Sequence, residues 1–321
     1  MYSLGIDIGG TKCAVVLGRG ALAENKEGFI LDKIAFPTEV SRGVDMVIAE
    51  ITGSIDKLFE KNKVAADMIV GIGISCGGPL DSRTGVIKSP PNLPGWDEVP
   101  IVEILSAHYG VKTKLQNDAN ACAVAEWMFG AARGSQNAMF LTFGTGMGAG
   151  LILDGRLYSG TNDMAGEVGH IRLANDGPEG YGKRGSFEGF CSGGGIARMG
   201  QEMAEAAKQN GQKSPLFADL SAMTAKSLAL AATEGDAFAL SVYERCAKKL
   251  GLALSIFIDV LNPEKIVIGS IYERNQEMFN RWILPIIEEE TLSLSRSVCE
   301  IVPAQLGDSI GDYAALALAL L

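Results

Sequence analysis

The sequence predicts an α/β protein built from two related halves. Its 321 residues are enough for two domains, each with its own core. Short β-rich runs alternate with amphipathic helical segments along the whole chain. The pattern of strand, glycine-rich turn and strand occurs at residues 4–17 and again at residues 140–153. This repetition indicates a duplicated scaffold.

Both glycine-rich turns have residues suited to phosphate groups. In the first, Gly9 and Gly10 let backbone N–H groups approach a ligand closely, while Thr11 adds a hydroxyl and Lys12 a mobile cation. Asp7 beside an anion site makes sense if Mg²⁺ lies between carboxylate and phosphate. An ordinary hairpin with a surface aspartate remains the alternative for this turn alone. The second turn, residues 144–146, repeats the design and favours a polyphosphate site.

Composition excludes several classes of function. A hydrophobic fraction of 47% and a charged fraction of 21% are typical of a compact enzyme. The net charge of −10, without a long basic run, makes nucleic acid and anionic membranes poor partners. The most apolar stretch, Leu252–Ile258, is too short to span a membrane. Six scattered cysteines and no signal peptide predict reduced thiols in the cytoplasm.

Periodicity predicts the remaining elements, with a turn at 21–28. The predicted strands cover residues 29–37, 68–74, 111–115, 265–270 and 298–302. The predicted helices cover residues 44–61, 99–109, 119–130, 187–210 (loosened by glycines at 193–195), 224–233, 236–261, 274–290 and 309–321.

Several polar or small residues follow predicted strands, where open α/β sheets bind ligands. Gly78 lies in the glycine-rich exit of one strand, and Gly269 ends another, where adenine or ribose could pass the backbone. Asn92, in a proline-braced loop, offers a donor and an acceptor, although such loops usually serve as connectors. Asn117 and Asp118 begin a helix. A simple helix cap is one interpretation, but Asn117 alone could cap, leaving Asp118 as a general base favoured by the helix dipole.

Residues 7–12 (Asp-Ile-Gly-Gly-Thr-Lys) and 144–146 (Gly-Thr-Gly) resemble the phosphate loops of the actin-like ATPase fold, in its ROK sugar-kinase branch. The resemblance covers essentially the whole chain, with departures near 179–186 and after Gly269. It implies an actin-like ATPase (ribonuclease H-like) fold with two α/β domains around a central cleft. The expected domains are residues 1–117 plus 310–321, and residues 118–309.

The resemblance implies an ATP-dependent hexose kinase that uses Mg²⁺ and forms a homodimer. Asp118 would deprotonate the attacking sugar hydroxyl, and the expected attacking oxygen is O6. Glu167 and His170 match the family's Glu-x-Gly-His sugar motif, although a lone loop histidine is more often structural. The expected sugar-binding residues are Gly78, Asn92, Asn117, Asp118, Glu167, His170 and Glu188. The expected nucleotide-binding residues are Asp7, Gly9, Gly10, Thr11, Lys12, Gly144, Thr145, Gly146 and Gly269.

The sugar itself stays open. Residues 91–96 look like the corresponding glucokinase loop and favour glucose, but N-acetylmannosamine, N-acetylglucosamine, allose and fructose kinases share the framework. The family also includes sugar-sensing repressors, which have a winged helix before the sugar domain. Because the first core strand begins within four residues of Met1 and the charge is −10, a repressor is not expected. A catalytically idle sugar-binding protein is the third possibility, and the intact Asp7 and Asp118 argue against it.

A structural zinc is not expected. Zinc-bearing relatives follow the sugar motif with Cys-x-Cys-Gly-x-x-Gly-Cys-x-Glu, where Glu179, Tyr181 and Ser186 stand at the cysteine positions here. Glutamate, tyrosine and serine there cannot form the closed tetrahedral thiolate site. We expect a hydrogen bond from His170 to Glu179 or Tyr181 to orient the imidazole instead, with aromatic packing around Tyr181 and Phe187 bracing the loop.

Overall fold

The structure is a computed structural model that describes residues 1–21 and 28–321. Residues 22–27 of the predicted turn lie outside the described part. Contacts within the chain define two compact units. The first contains residues 1–134, 150–165 and 305–321, and the second contains residues 135–149 and 166–304.

Fourteen strands and eleven α-helices are formed by the described residues. Up to residue 134 they are β1 (Tyr2–Ile8), β2 (Lys12–Arg19), β3 (Ile30–Pro37), α1 (Val44–Asn62), β4 (Ile69–Cys76), β5 (Leu80–Asp81), β6 (Val86–Ile87), α2 (Ile101–Tyr109), β7 (Thr113–Asn117) and α3 (Asp118–Phe129). Beyond it they are β8 (Ala138–Phe143), β9 (Met147–Leu153), β10 (Arg156–Tyr158), β11 (Glu179–Gly180), β12 (Lys183–Arg184), α4 (Phe187–Phe190), α5 (Gly193–Gln209), α6 (Ala225–Thr233), α7 (Ala237–Leu261), β13 (Lys265–Ile268), α8 (Ile271–Arg274), α9 (Gln276–Glu290), α10 (Ser293–Arg296), β14 (Glu300–Pro303) and α11 (Ile310–Leu320).

The first unit is built on a five-stranded sheet of order β3-β2-β1-β4-β7. The β1–β2 and β2–β3 pairs are antiparallel, whereas β4 runs parallel to both β1 and β7. Helix α11 lies directly on β1 and β4. This approach requires glycine, because a Cβ at Gly73 would come within 2.1 Å of the Ala315 carbonyl oxygen. Because β1, β4 and β7 are parallel to one another, their carboxyl ends meet at one edge of the sheet. Asp7, Gly78 and Asn117 therefore lie at the same edge.

The second sheet, of order β10-β9-β8-β13-β14, repeats this arrangement. In both sheets the first strand of the glycine hairpin is the central strand. The second strand of the hairpin lies on one side of it, and two strands from later in the chain lie on the other side. Strand β13 is parallel to β8 and β14. The division between the units falls within β9. The duplicated scaffold predicted from the two glycine turns is confirmed.

Helix α7 confirms the predicted helix at 236–261 and forms much of the second unit's core. One side of it is buried from Phe238 to Ile258, packed against α5, α6 and α9. Most of its apolar surface is therefore covered within its own unit. Ile256 and Val260 are exceptions, with Val260 74% exposed.

One prediction of a continuous helix needs correction. The predicted helix at 187–210 is two helices, because the Ser192 hydroxyl accepts the Gly195 N–H (3.0 Å) and begins a new helix, α5. The predicted helix at 274–290 is confirmed as α9, and a separate one-turn helix, α8, ends just before it at Arg274.

The units also differ in extent from the domains expected at 1–117 plus 310–321 and at 118–309. Residues 118–134, 150–165 and 305–309 group with the first unit. The physical reason is packing: α3 lies against α11, which itself lies on the first sheet. No helix formed by residues 1–21 and 28–321 is both long and apolar enough to cross a membrane.

Candidate active site

Asp7 and the first glycine turn lie at the end of the central strand β1. The Gly9 N–H donates to the Lys12 carbonyl oxygen (3.1 Å), and the Thr38 hydroxyl donates to the Gly9 carbonyl oxygen (2.5 Å). Helix α11 begins close by, since a Cβ at Gly311 would lie 3.1 Å from Asp7 Oδ2. The turn is therefore held by its own hydrogen bonds, while Thr11 and Lys12 remain exposed.

The structure brings Asn92 and Gly78 to this turn. A Cβ at Gly10 would lie 2.2 Å from the Asn92 carbonyl oxygen, so only glycine allows the proline-braced loop to come so near. A Cβ at Gly78 would lie 3.2 Å from Asn117 Nδ2. Loops following β1, β4 and β7 thus converge, as the parallel order of these strands requires.

Asn117 caps α3, as predicted, and Asp118 occupies its first turn. The Ala119 N–H donates to Asn117 Oδ1 (2.9 Å) and also to Asp118 Oδ1 (2.8 Å). Asp118 is thus not as free of the cap as the sequence suggested, because one of its oxygens shares the donor. Among the described residues, no other residue donates a hydrogen bond to its second oxygen. That oxygen is available to accept a proton.

The pKa values of Asp7 and Asp118 are both raised, and the charge of Asp118 contributes to the shift of Asp7. Burial raises the pKa of Asp7 to about 6, and the negative charges of Asp118 and Asp312 act in the same direction, opposed by Lys12 and Lys33. Burial also raises the pKa of Asp118, against the Ala119 N–H bond. Solvent still reaches both side chains, although protein atoms surround most of each carboxyl group. Two carboxyls so arranged favour a proton or a cation nearby.

The donor set at Asp7 and Asp118 fits Mg²⁺. Carboxylate oxygens are hard ligands, and Mg²⁺ is commonly held by one or two of them together with substrate phosphates. Within residues 1–21 and 28–321, no group of three or more His, Cys, Asp or Glu side chains could hold a metal ion alone. Phosphate oxygens or water would therefore have to complete the coordination.

In the second unit, Glu188 is bonded to the glycine turn at 144–146. Its Oε2 accepts the Met147 N–H (3.0 Å), and a Cβ at Gly146 would lie 2.9 Å from the same oxygen. The Gly193 N–H at the beginning of α5 donates to the Gly144 carbonyl oxygen (2.8 Å). Thr145 is exposed at the tip of the turn.

Glu167 and His170 flank a backbone segment that lies beside the same turn. The Ala149 N–H donates to the Gly166 carbonyl oxygen (2.9 Å), and a Cβ at Gly169 would lie 3.3 Å from Glu188 Cβ. Glu167 and His170 are both exposed. The three carboxylate and imidazole residues of the expected sugar motif therefore share one region of the second unit.

The expected brace of His170 is wrong in part. Within the described chain, the imidazole has no hydrogen bond to Glu179 or Tyr181, and Tyr181 is 76% exposed at the tip of the β11–β12 hairpin. Phe187, by contrast, is buried and packs on Phe257. Backbone groups and basic side chains hold the loop instead: Lys183 Nζ donates to the His170 carbonyl oxygen (2.7 Å), and Arg172 Nη1 donates to the Arg184 carbonyl oxygen (2.8 Å).

Glu179, Tyr181 and Ser186, which stand at the cysteine positions of zinc-bearing relatives, lie in this hairpin or directly after it. The buried Ser186 hydroxyl donates to the Gly180 carbonyl oxygen (3.3 Å) and accepts the Gly189 N–H (3.1 Å). The Phe187 N–H donates to the Ile171 carbonyl oxygen (2.8 Å). A hydrogen-bonded hairpin is thus formed by the residues that we expected to correspond to the zinc loop.

A cavity opens at Ile271, two residues after Gly269. It has a volume of about 580 Å³ and is lined by Ala225, Lys226, Ala229, Leu230, Thr233, Tyr243, Ile271, Arg274 and Asn275. Sequence reasoning missed Ser270, which has the strained backbone angles φ 56° and ψ −105°. Its Oγ lies 3.8 Å from the position of a Cβ at Gly144, so Gly269 and the second glycine turn belong to one region. A polar residue that follows a buried strand and one glycine was the available signal.

Comparison with known proteins agrees with this geometry. Residues 3–321 match the ROK family. A glucokinase of Halalkalibacterium halodurans is 33% identical over 97% of this chain and 92% of its own. The Streptomyces griseus ROK family glucokinase, solved in complex with glucose and AMPPNP, is 27% identical over 99% of each chain, with a TM-score of 0.75. The DNA-binding transcriptional repressor Mlc of Escherichia coli is 28% identical over 76% of this chain and 58% of its own. This protein therefore has the actin-like ATPase fold and belongs to the ROK family.

Proposed function

We propose that the protein is an ATP-dependent sugar kinase that transfers the γ-phosphoryl group to a hexose hydroxyl. The observation on which this rests is the Asp118 carboxyl in the first turn of α3. One of its oxygens is free to accept a proton, and its raised pKa suits a general base better than that of an ordinary aspartate. Asp7 and the first glycine turn belong to the same unit.

In this mechanism Asp118 accepts the proton of the attacking hydroxyl. Asn117 Oδ1 is occupied by the helix cap, which leaves its Nδ2 as a donor to a neighbouring sugar oxygen. The glycine turns supply backbone N–H groups, and Lys12 supplies a positive charge to the phosphates. Mg²⁺, when bound, neutralises phosphate charge and orients the transferred group. Such transfer depends mainly on positioning and on charge stabilisation, which these residues provide.

We infer that glucose is the acceptor and that O6 is the attacking oxygen. The relatives named glucokinase support this choice, as does the Streptomyces griseus glucokinase solved with glucose and AMPPNP. Glu167, His170 and Glu188 would contact the remaining sugar hydroxyls. Because Glu188 already accepts the Met147 N–H, a sugar bound to it would be linked to the second phosphate turn.

The nucleoside would occupy the cavity beside Gly269. Its volume lies in the range of about 300–1,000 Å³ usual for small-molecule sites. Apolar groups of Ala229, Leu230 and Ile271 suit a base, and Lys226 and Asn275 offer donors. Support for phosphates near Gly144 comes from Ser270, which precedes the cavity residue Ile271 and whose Oγ lies 3.8 Å from the position of a Cβ at Gly144.

A sugar-sensing regulator is the second candidate, because the repressor Mlc is also a relative. The two functions differ in one measurable step. Purified protein is mixed with ATP, Mg²⁺ and each of glucose, N-acetylmannosamine, N-acetylglucosamine, allose and fructose, and ADP release is followed. A kinase releases ADP only with its sugar, and ³¹P NMR of the product identifies the phosphorylated oxygen. Sugar binding without ADP release would reject the kinase.

We also propose a homodimer of a cytoplasmic protein. Exposed apolar side chains cluster on the second unit, where α10 packs against α7 and α9. They include Leu294 (83% exposed) and Val260 (74% exposed). Apolar surface of this kind commonly marks an interface. Six free cysteines, four of them buried, are consistent with a reducing compartment.

A further inference from the structure

Glu126 is a completely buried carboxylate that binds backbone N–H groups from one neighbouring and one distant segment. It lies on α3, two helical turns after Asp118, with no exposed surface. Its Oε2 accepts the Ala131 N–H (2.7 Å). Its Oε1 accepts the N–H groups of Gln305 (2.9 Å) and Leu306 (3.0 Å). Hydrogen bonds to a charged group are among the stronger ones in proteins.

The chain leaves room for this carboxylate at Gly130. A Cβ there would lie only 2.0 Å from Glu126 Oε2, so any larger residue would displace the side chain. The Glu126 backbone carbonyl also accepts the N–H groups of Gly130 and Ala132. Glu126 and Gly130 together form a compact hydrogen-bonded cluster at the end of α3.

This cluster lies close in the chain to two of the points at which the chain passes from one unit to the other. The first crossing follows Gly134 and another precedes Gln305. All three N–H donors are within five residues of a crossing, and all belong to the first unit, like Glu126 itself. One carboxylate therefore holds the first-unit ends of these two crossings, of the four that the chain makes, next to α3.

The same hydrogen bonds connect the two carboxyl groups of the candidate active site. Asp118 begins the helix on which Glu126 lies. Leu306 leads within a few residues to α11, whose Gly311 lies against Asp7. Moving the Gln305–Leu306 segment away from α3 would therefore change the separation of Asp118 and Asp7, without touching either side chain.

We propose that Glu126 is a positioning residue for the reaction, holding α3 and the segment before α11 so that Asp118 and Asp7 keep their working separation. The inference rests on the proposed kinase function for its kinetic consequence. Its structural content, a carboxylate that anchors Ala131, Gln305 and Leu306, does not depend on that function.

The test uses Glu126→Gln, Gly130→Ala and the control Glu103→Gln, in which an exposed glutamate of α2 is changed. The Glu126→Gln variant keeps one acceptor but places an amide donor against a backbone donor. The Gly130→Ala variant displaces the carboxylate without removing it. We expect kcat to fall about tenfold to 10²-fold in both variants, the usual cost of a misplacement of about 1 Å. The KM values for sugar and ATP should stay within about threefold of wild type.

Two further readouts separate the possible outcomes. Measurements are made at a temperature where circular dichroism shows every variant folded, so loss of folded protein cannot account for lost turnover. Hydrogen exchange followed by mass spectrometry should show faster exchange at residues 130–134 and 304–309 in both variants, but not in Glu103→Gln. Faster exchange with unchanged kcat would reduce Glu126 to a purely structural role and overturn the proposal. Unchanged exchange would overturn the anchor itself. Absence of ADP release from wild type would reject the kinase, while the exchange data would still report on the anchor.

Discussion

Asp7 should make the ligand-free protein less stable at neutral pH, and Asp7→Asn should remove that cost. The pKa of Asp7 rises from 3.8 to about 6 on folding. The folded state therefore holds this proton more tightly than the unfolded state does. Its contribution to stability is greatest below about pH 4, falls as the pH rises towards about 6, and stays low above that.

The size of the effect follows from the shift. Two pKa units correspond to about 3 kcal/mol at about 1.4 kcal/mol per unit. Because solvent reaches part of the Asp7 side chain, we expect about 1–3 kcal/mol. At pH 7.5 the Asp7→Asn variant should therefore be more stable than wild type by this amount. The difference should shrink as the pH is lowered towards 4, where wild-type Asp7 is largely protonated.

Urea titration at several pH values between 4.5 and 8, in EDTA and without nucleotide, measures the free energy of unfolding. Asp32→Asn in β3 is the matched control, because hydrogen bonds from Lys61 and Asn62 lower the pKa of Asp32. That variant should lose stability at pH 7.5 instead of gaining it. Adding Mg²⁺ with ATP should stabilise wild type more than Asp7→Asn. If Asp7→Asn were no more stable than wild type at pH 7.5, the account of its burial would be wrong.

Four other predictions follow from the site. Asp118→Asn should keep the α3 cap and bind sugar nearly as well, while kcat falls about 10²-fold to 10⁴-fold; retention of more than a tenth of wild-type kcat would rule out Asp118 as the base. Gly10→Ala should lower kcat/KM at least tenfold, because its Cβ would meet the Asn92 carbonyl oxygen at 2.2 Å, whereas Gly53→Ala in α1, with open space around it, should leave activity unchanged. Elemental analysis should find essentially no zinc, and a zinc-selective chelator with Mg²⁺ in excess should not affect turnover; one tightly bound equivalent per chain would contradict this. Sedimentation at micromolar concentration should show a dimer that Leu294→Glu disrupts, and a wild-type species of 33.8 kDa would refute the dimer.

The sequence by itself determined the features that depend on local chain geometry. Two glycine turns between β-rich runs predicted both hairpins and the duplicated scaffold. Asn117 at a strand end predicted the cap of α3, and the apolar periodicity of residues 236–261 predicted α7. These features need only neighbouring residues, because a turn, a cap or an amphipathic face is set within a few positions of the chain.

Only the tertiary structure decided what distant segments do to one another. Glu126 looked like one more residue of an alanine-rich helix, yet its donors Gln305 and Leu306 lie 179 and 180 positions away. Tyr181 looked like a brace for His170 but is exposed, because Ser186 and backbone groups hold the hairpin instead. The raised pKa of Asp7 likewise depends on burial and on Asp118 and Asp312. Burial and hydrogen bonds between remote residues are set by the path of the whole chain, so no local pattern could reveal them.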